Sequence, residues 1–155
     1  ESTLFSIGAR DHYENPVSDL LAFFLNPNAY HNLDSMVLVA LLECLPEEAQ
    51  LSASLVNGPQ REVTPHTKSR LDILFESEEW VMVLENKIWH QQNNPFTDYE
   101  AFLTKHNPGK QKLSVVLSPS GKSPAGWYGV AYNDFLYRLS AKLGQAFVPP
   151  LLTSD

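Results

Sequence analysis

A chain of 155 residues with 43% hydrophobic and 19% charged side chains has the composition of one globular domain rather than that of a disordered chain. Its longest apolar runs, such as Leu20 to Leu25 and Met36 to Leu42, are far too short to span a bilayer. The net charge of −7 is the wrong sign for a protein whose whole surface grips phosphate, although acids that hold divalent cations contribute to that figure and are neutralised by the metal.

Asn15-Pro16 reads as a helix cap with proline in the first turn, and Val17, Leu20, Leu21 and Phe24 follow at helical spacing until Asn26-Pro27-Asn28. A second helix is predicted over about Asp34 to Leu45, burying Val37, Leu38, Leu41 and Leu45 and closed by Pro46. Gln60 to Pro65 reads as a short strand. Arg70 to Phe75 alternates, with Leu71, Ile73 and Phe75 on one side and Asp72 and Leu74 on the other. An acidic turn, Glu76 to Glu79, leads into Trp80 to Trp89, a strand apolar on both faces and so expected at the centre of a sheet. A helix begins around Asn94-Pro95 and carries Tyr99, Phe102 and Leu103; Leu113 to Leu117 is a further strand, and Ser118 to Gly126 a turn-rich loop. Gly129 to Tyr132 is a last short strand, and Asn133 caps a helix bearing Phe135, Leu136, Leu139 and Leu143. The order α-α-β-β-β-α-β-β-α implies an α/β domain with a mixed sheet.

Cys44 is the one cysteine, which allows neither an internal disulfide nor a cysteine-rich zinc site; a reducing, cytoplasmic setting and a core position are expected. No secretory leader pattern is present in the given sequence, and a single domain over residues 1–155 is expected, whether whole or the N-terminal part of a longer protein.

The chemistry concentrates at Glu85-Asn86-Lys87. Alternation puts Glu85 and Lys87 on one strand face, about 6.8 Å apart, behind Val81 and Val83. Charge on a buried strand is costly unless compensated. A hairpin around Glu76 to Glu79 would bring Asp72 beside Glu85, and two adjacent carboxylates repel unless a proton or a cation lies between them. A hard divalent cation with oxygen ligands relieves that repulsion.

Asp72, twelve intervening residues and then Glu85-Asn86-Lys87 resembles the bipartite motif of the PD-(D/E)XK nuclease superfamily. Arg61-Glu62, Arg70 to Leu74 and Val83 to Ile88 resemble successive blocks of a bacterial and phage branch of it. Upstream, Glu14 to Ser18, Leu20 to Pro27 and His31 resemble that branch's first helix. The resemblance implies a restriction-endonuclease-like three-layer α/β/α core with a central mixed sheet. It implies that Asp72, Glu85 and the main-chain carbonyl of Asn86 ligate Mg²⁺ (with Mn²⁺ able to substitute), that Lys87 orients or deprotonates the attacking water, and that Glu14 completes the site. Two departures stand out. Pro95 occupies the position, four residues before Tyr99, where related proteins often carry glutamine, and Gln92 is a candidate substitute; Leu71 stands where the eponymous proline would precede Asp72.

Each residue also has a plainer reading. Asp72, Glu85 and Lys87 could be a structural salt bridge, and Glu14 an exposed acid at a helix start. Arg70 could bind substrate phosphate or pair with Glu62 or Glu76, and Gln91 and Gln92 could be surface amides. No two of His12, His31, His66, His90 and His106 have the i, i+4 spacing of a helical zinc site, and Trp80, Trp89 and Trp127 read as packing residues. The expected activity is Mg²⁺-dependent hydrolysis of phosphodiester bonds in DNA, with a further region or a homo-oligomer supplying basic contacts. The alternatives are a catalytically silent scaffold of the same fold and an acidic domain that binds a basic protein. A role in phage defence is suggested by the family's usual company alone.

Overall fold

An alternating strand and a strand apolar on both faces, joined by a three-residue turn, form the centre of the molecule. The structure, a computed structural model, describes residues 16–46, 51–63, 71–87, 101, 103–105 and 107–146, with the backbone alone at 62, 63 and 71. Its elements in chain order are helix α1 (16–25), α2 (Met36–Leu42), β1 (Asn57–Val63), β2 (Leu71–Glu76), β3 (Trp80–Asn86), helical residues 101 and 103–105 (α3), β4 (Gln111–Ser118), β5 (Tyr128–Ala131) and α4 (Tyr132–Ala146). The predicted order of elements is the observed one.

The five strands lie in sequence order across one mixed sheet. β1 and β2 are antiparallel, as are β2 and β3; β4 and β5 continue parallel to β3. β3 is buried along its whole length, as a central strand covered on both faces must be. Alternation sorts its side chains into two apolar layers. Trp80, Met82 and Leu84 join Ile73 and Phe75 of β2 in the larger one, against Ala22 and Leu25 of α1, Leu38 and Leu41 of α2 and Phe135 of α4. Val81 and Val83 face the opposite way and pack with Val116, Trp127, Leu103 of α3 and the half-buried Leu74. Helices therefore cover both faces of the sheet, giving three layers. Trp80 is wholly buried and its indole N–H donates to the Ser52 carbonyl at 2.9 Å, so it packs as expected.

Several boundaries differ from the sequence reading. β1 starts at Asn57, three residues earlier than Gln60, and includes Gly58-Pro59. Pro59 removes one N–H, which an edge strand tolerates. α2 begins at Met36 because Asn32 and Asp34 take left-handed φ values of 60° and 48°, and it gives way to a turn after Leu42. β3 ends at Asn86 instead of Trp89, and α4 begins at Tyr132, which places Asn133 within it. On α1 the buried face is Ser18, Ala22 and Leu25, whereas Leu20 and Phe24 are exposed. Leu136 of α4 is likewise exposed, and Cys44 is half-buried, its thiol facing the Ala40 carbonyl at 3.3 Å. Burial pushes that thiol's pKa up, so it is a poor nucleophile.

Candidate active site

The β2–β3 hairpin fixes the register of the acids. Ile73 pairs with Leu84, Leu74 with Val83, Phe75 with Met82 and Glu76 with Val81. One step beyond Ile73–Leu84, Asp72 therefore falls beside Glu85. Asp72 shares the face of Leu74, and Glu85 that of Val81 and Val83. At this point the main-chain N–H of Asp72 turns to the Glu85 side chain, donating to Oε1 at 3.4 Å. Lys87 Nζ lies 3.8 Å from Glu85 Oε2 on the same face. The lysine's own N–H donates to the Leu117 carbonyl at 2.8 Å, which ties the end of β3 to β4. Glu85 is 3% exposed, and Asp72 and Lys87 are 17% and 16% exposed.

A buried carboxylate loses several kcal/mol of hydration. Asp72 is held through both carboxylate oxygens. Its Oδ2 accepts from the Ser18 hydroxyl and from the Asn86 N–H, each at 3.0 Å. Its Oδ1 forms an ion pair with Arg61 Nη1, and the same nitrogen donates to the Asp72 carbonyl at 2.6 Å. Arg61 Nε in turn donates to Asp19 Oδ1 at 2.8 Å. Helix α1 thus supplies Ser18 and Asp19, β1 supplies Arg61, and the hairpin supplies the rest. The buried Asn86 amide donates to the Ser18 hydroxyl at 3.2 Å, while its Oδ1 accepts no hydrogen bond among the described residues.

The structure brings Asp72, Glu85, Asn86 and Lys87 together. Glu14, Arg70 and Gln92 lie outside the described residues, as do Gln91, Trp89 and the histidines other than His31. Sequence reasoning missed Ser18, Asp19 and Arg61 as members of the cluster. Arg61 stands in a motif block and Ser18 in the first-helix block, so position in the pattern was the available signal. His31 bonds loop backbone: Nδ1 accepts from Leu33 N–H at 3.0 Å, and Nε2 lies 2.8 Å from the Asn26 carbonyl.

The donor set suits a hard cation. Two carboxylates adjoin in a shielded place, and a buried amide oxygen with no hydrogen bond among the described residues belongs to the same cluster. Among the described residues no group of three acids, histidines or cysteines is placed to hold a metal ion.

A mixed sheet between helical layers, with two acids and a lysine gathered where its antiparallel and parallel halves meet, defines a restriction-endonuclease-like α/β/α domain. The family model of the PD-(D/E)XK nuclease superfamily matches residues 3–142, and the chain belongs to that superfamily, a family of nucleases that act on nucleic acid and generally use divalent metals. Comparisons with curated proteins and with solved structures find no match. Among the described residues no helix is long and apolar enough to cross a membrane.

Proposed function

We propose that this domain is a divalent-metal-dependent nuclease that hydrolyses phosphodiester bonds in DNA, with Mg²⁺ as its ion and Mn²⁺ able to replace it. The observation that carries the reading is the adjacency of Asp72 and Glu85, with Lys87 Nζ 3.8 Å from the Glu85 carboxylate. Asp72, Glu85 and the Asn86 carbonyl would hold the ion, and Glu14 would complete the set. A bound divalent cation supplies Lewis acidity and balances the charge that grows on phosphoryl oxygens. Lys87 places a positive charge beside that point, where it can orient the attacking water and stabilise the anionic transition state. Asp72, held through Oδ2 by Ser18 and the Asn86 N–H, keeps a fixed orientation as an oxygen donor. Arg70 and Gln92 are proposed substrate contacts. The charge of −7 favours a helper for binding DNA, either a second copy or a further region rich in Lys and Arg. A cytoplasmic site of action and a part in phage defence would suit such an enzyme.

One observation favours a second reading. Arg61 already neutralises Asp72, as it would in a catalytically silent module that keeps the fold for binding. A cleavage assay separates the two. Wild type and Lys87→Ala are incubated with single- and double-stranded DNA and RNA in Mg²⁺, Mn²⁺ or chelator. Metal-dependent cutting by wild type and its loss in the variant support the nuclease. Binding of a partner with no cutting under any condition supports the scaffold.

A further inference from the structure

We propose that Arg61 is a positioning residue that acts as a resident counter-ion for Asp72, competes with the divalent cation for that carboxylate, and releases it when a phosphate-bearing strand draws the guanidinium away. This inference rests on the nuclease reading above and assigns a regulation to the same site: metal and nucleic acid should bind cooperatively.

Three features support it. First, one nitrogen of Arg61 serves both the main-chain oxygen and Oδ1 of Asp72, so the guanidinium sits directly on a proposed metal ligand. A cation there disfavours a second cation on the same carboxylate by like-charge repulsion. Secondly, Oδ2 is held independently by Ser18 and Asn86, so the carboxylate keeps its orientation if the arginine leaves. Loss of Arg61 therefore removes charge without releasing the ligand, which decides the sign of the effect. Thirdly, one partner of Arg61 reaches solvent. Asp19 is 67% exposed, and an exposed ion pair contributes about 1 kcal/mol or less. A phosphate diester, which guanidinium can bind through two parallel hydrogen bonds, is a competitive partner. The coupling then follows from linkage: if nucleic acid removes a competitor of the metal, metal must favour nucleic acid by the same factor.

The test titrates Mn²⁺ calorimetrically into wild type, Arg61→Gln, Arg61→Lys and Asp72→Asn, first alone and then with a cleavage-resistant phosphorothioate duplex. Without duplex, Arg61→Gln should bind Mn²⁺ about tenfold more tightly than wild type, Arg61→Lys should stay near wild type, and Asp72→Asn should bind poorly. A residue that merely supports the fold would give the opposite sign on removal. With duplex, wild-type affinity should rise severalfold, and that of Arg61→Gln by less. Equal or weaker Mn²⁺ binding by a folded Arg61→Gln overturns the inference, as does equal tightening by Arg61→Lys. If neither variant folds, the wild-type measurement decides alone: no gain with duplex overturns the inference. Absence of Mn²⁺ binding to wild type with and without duplex would sink the nuclease reading itself, an outcome distinct from the others.

Discussion

The hydroxyl of Ser18 donates to Oδ2 of Asp72 across 3.0 Å, joining the first helix to the second strand over a separation of 54 residues. The same hydroxyl accepts from the Asn86 amide at 3.2 Å, so one buried oxygen connects three elements. Ser18→Ala should cost about 1–3 kcal/mol, because the buried Asn86 amide loses its acceptor. Chemical denaturation, with the slope checked for constancy, measures this. A change within a few tenths of a kcal/mol would mean that water replaces the hydroxyl.

Metal should stabilise the fold. A cation held by the proposed ligands Asp72 and Glu85 would bind the folded state alone, and at a hundredfold excess over its dissociation constant it would add about 2.7 kcal/mol. For a domain of this size that corresponds to a rise in Tm of roughly 5–10 °C. Mg²⁺ or Mn²⁺ should produce the rise, chelator should reverse it, and Asp72→Asn should remove most of it. An equal rise in the variant would place the metal elsewhere.

Lys87 and Glu85 should separate metal binding from catalysis. Lys87→Ala removes a charge beside the reacting groups and leaves the proposed ligands, so cleavage should drop about 10²-fold or more while Mn²⁺ affinity changes little. Glu85→Ala should lose both. Cleavage by Lys87→Ala at the wild-type rate would remove the lysine from the mechanism.

The hairpin was readable in the sequence because two signals agreed. Alternation across residues 71 to 76 and a short acidic turn leave one way for Asp72 to meet Glu85, and a slip of one residue would turn Ile73 and Phe75 out of the core. The partner of Asp72 was not readable. Arg61 could reach several acids, and its choice depends on the β1–β2 register, in which it pairs with Ile73, next to Asp72. Local sequence does not encode that register. Ser18 was hidden for another reason: apolar spacing drew attention to Leu20 and Phe24, which are exposed, whereas the inward face of α1 carries a hydroxyl for the site. The start of β1 was obscured by Gly58-Pro59, a pair that ordinarily marks a turn.

Acid should weaken the tie between β2 and the segment before β4. Lys110 Nζ donates to Glu76 Oε1 at 2.7 Å and Asn57 to Oε2 at 3.0 Å, and these bonds, the lysine's first, hold the Glu76 pKa below its ordinary value of 4.5. A carboxyl with a depressed folded pKa stabilises the fold above its unfolded pKa and loses that contribution as pH falls through the folded value. Glu76→Gln should therefore cost about 1 kcal/mol or less at pH 7 and nothing once Glu76 is protonated. Stability curves from pH 7 down to about pH 3 should converge; parallel curves would show that the charge of Glu76 is not involved.

Gly129 should resist substitution. A Cβ there would lie 2.0 Å from the Gly121 carbonyl oxygen, which is backbone and cannot swing aside. Gly129→Ala must push the 119–127 loop away from β5, at about 1–3 kcal/mol, read as a fall in Tm. A neutral result would mean that the loop moves without resistance.

Among the described residues, the linear strand order leaves β1 and β5 as the borders of the sheet. β5 spans four residues, and β1 carries both Pro59 and a register shift between Asn57 and Gln60. A growing fibril needs a flat, uninterrupted border on which another chain can lay down hydrogen bonds. Between them, these strands present a border that is too short and one that is kinked and missing a donor. The domain can thus keep a buried, largely apolar central strand without offering a ready template for sheet-on-sheet growth at either described border.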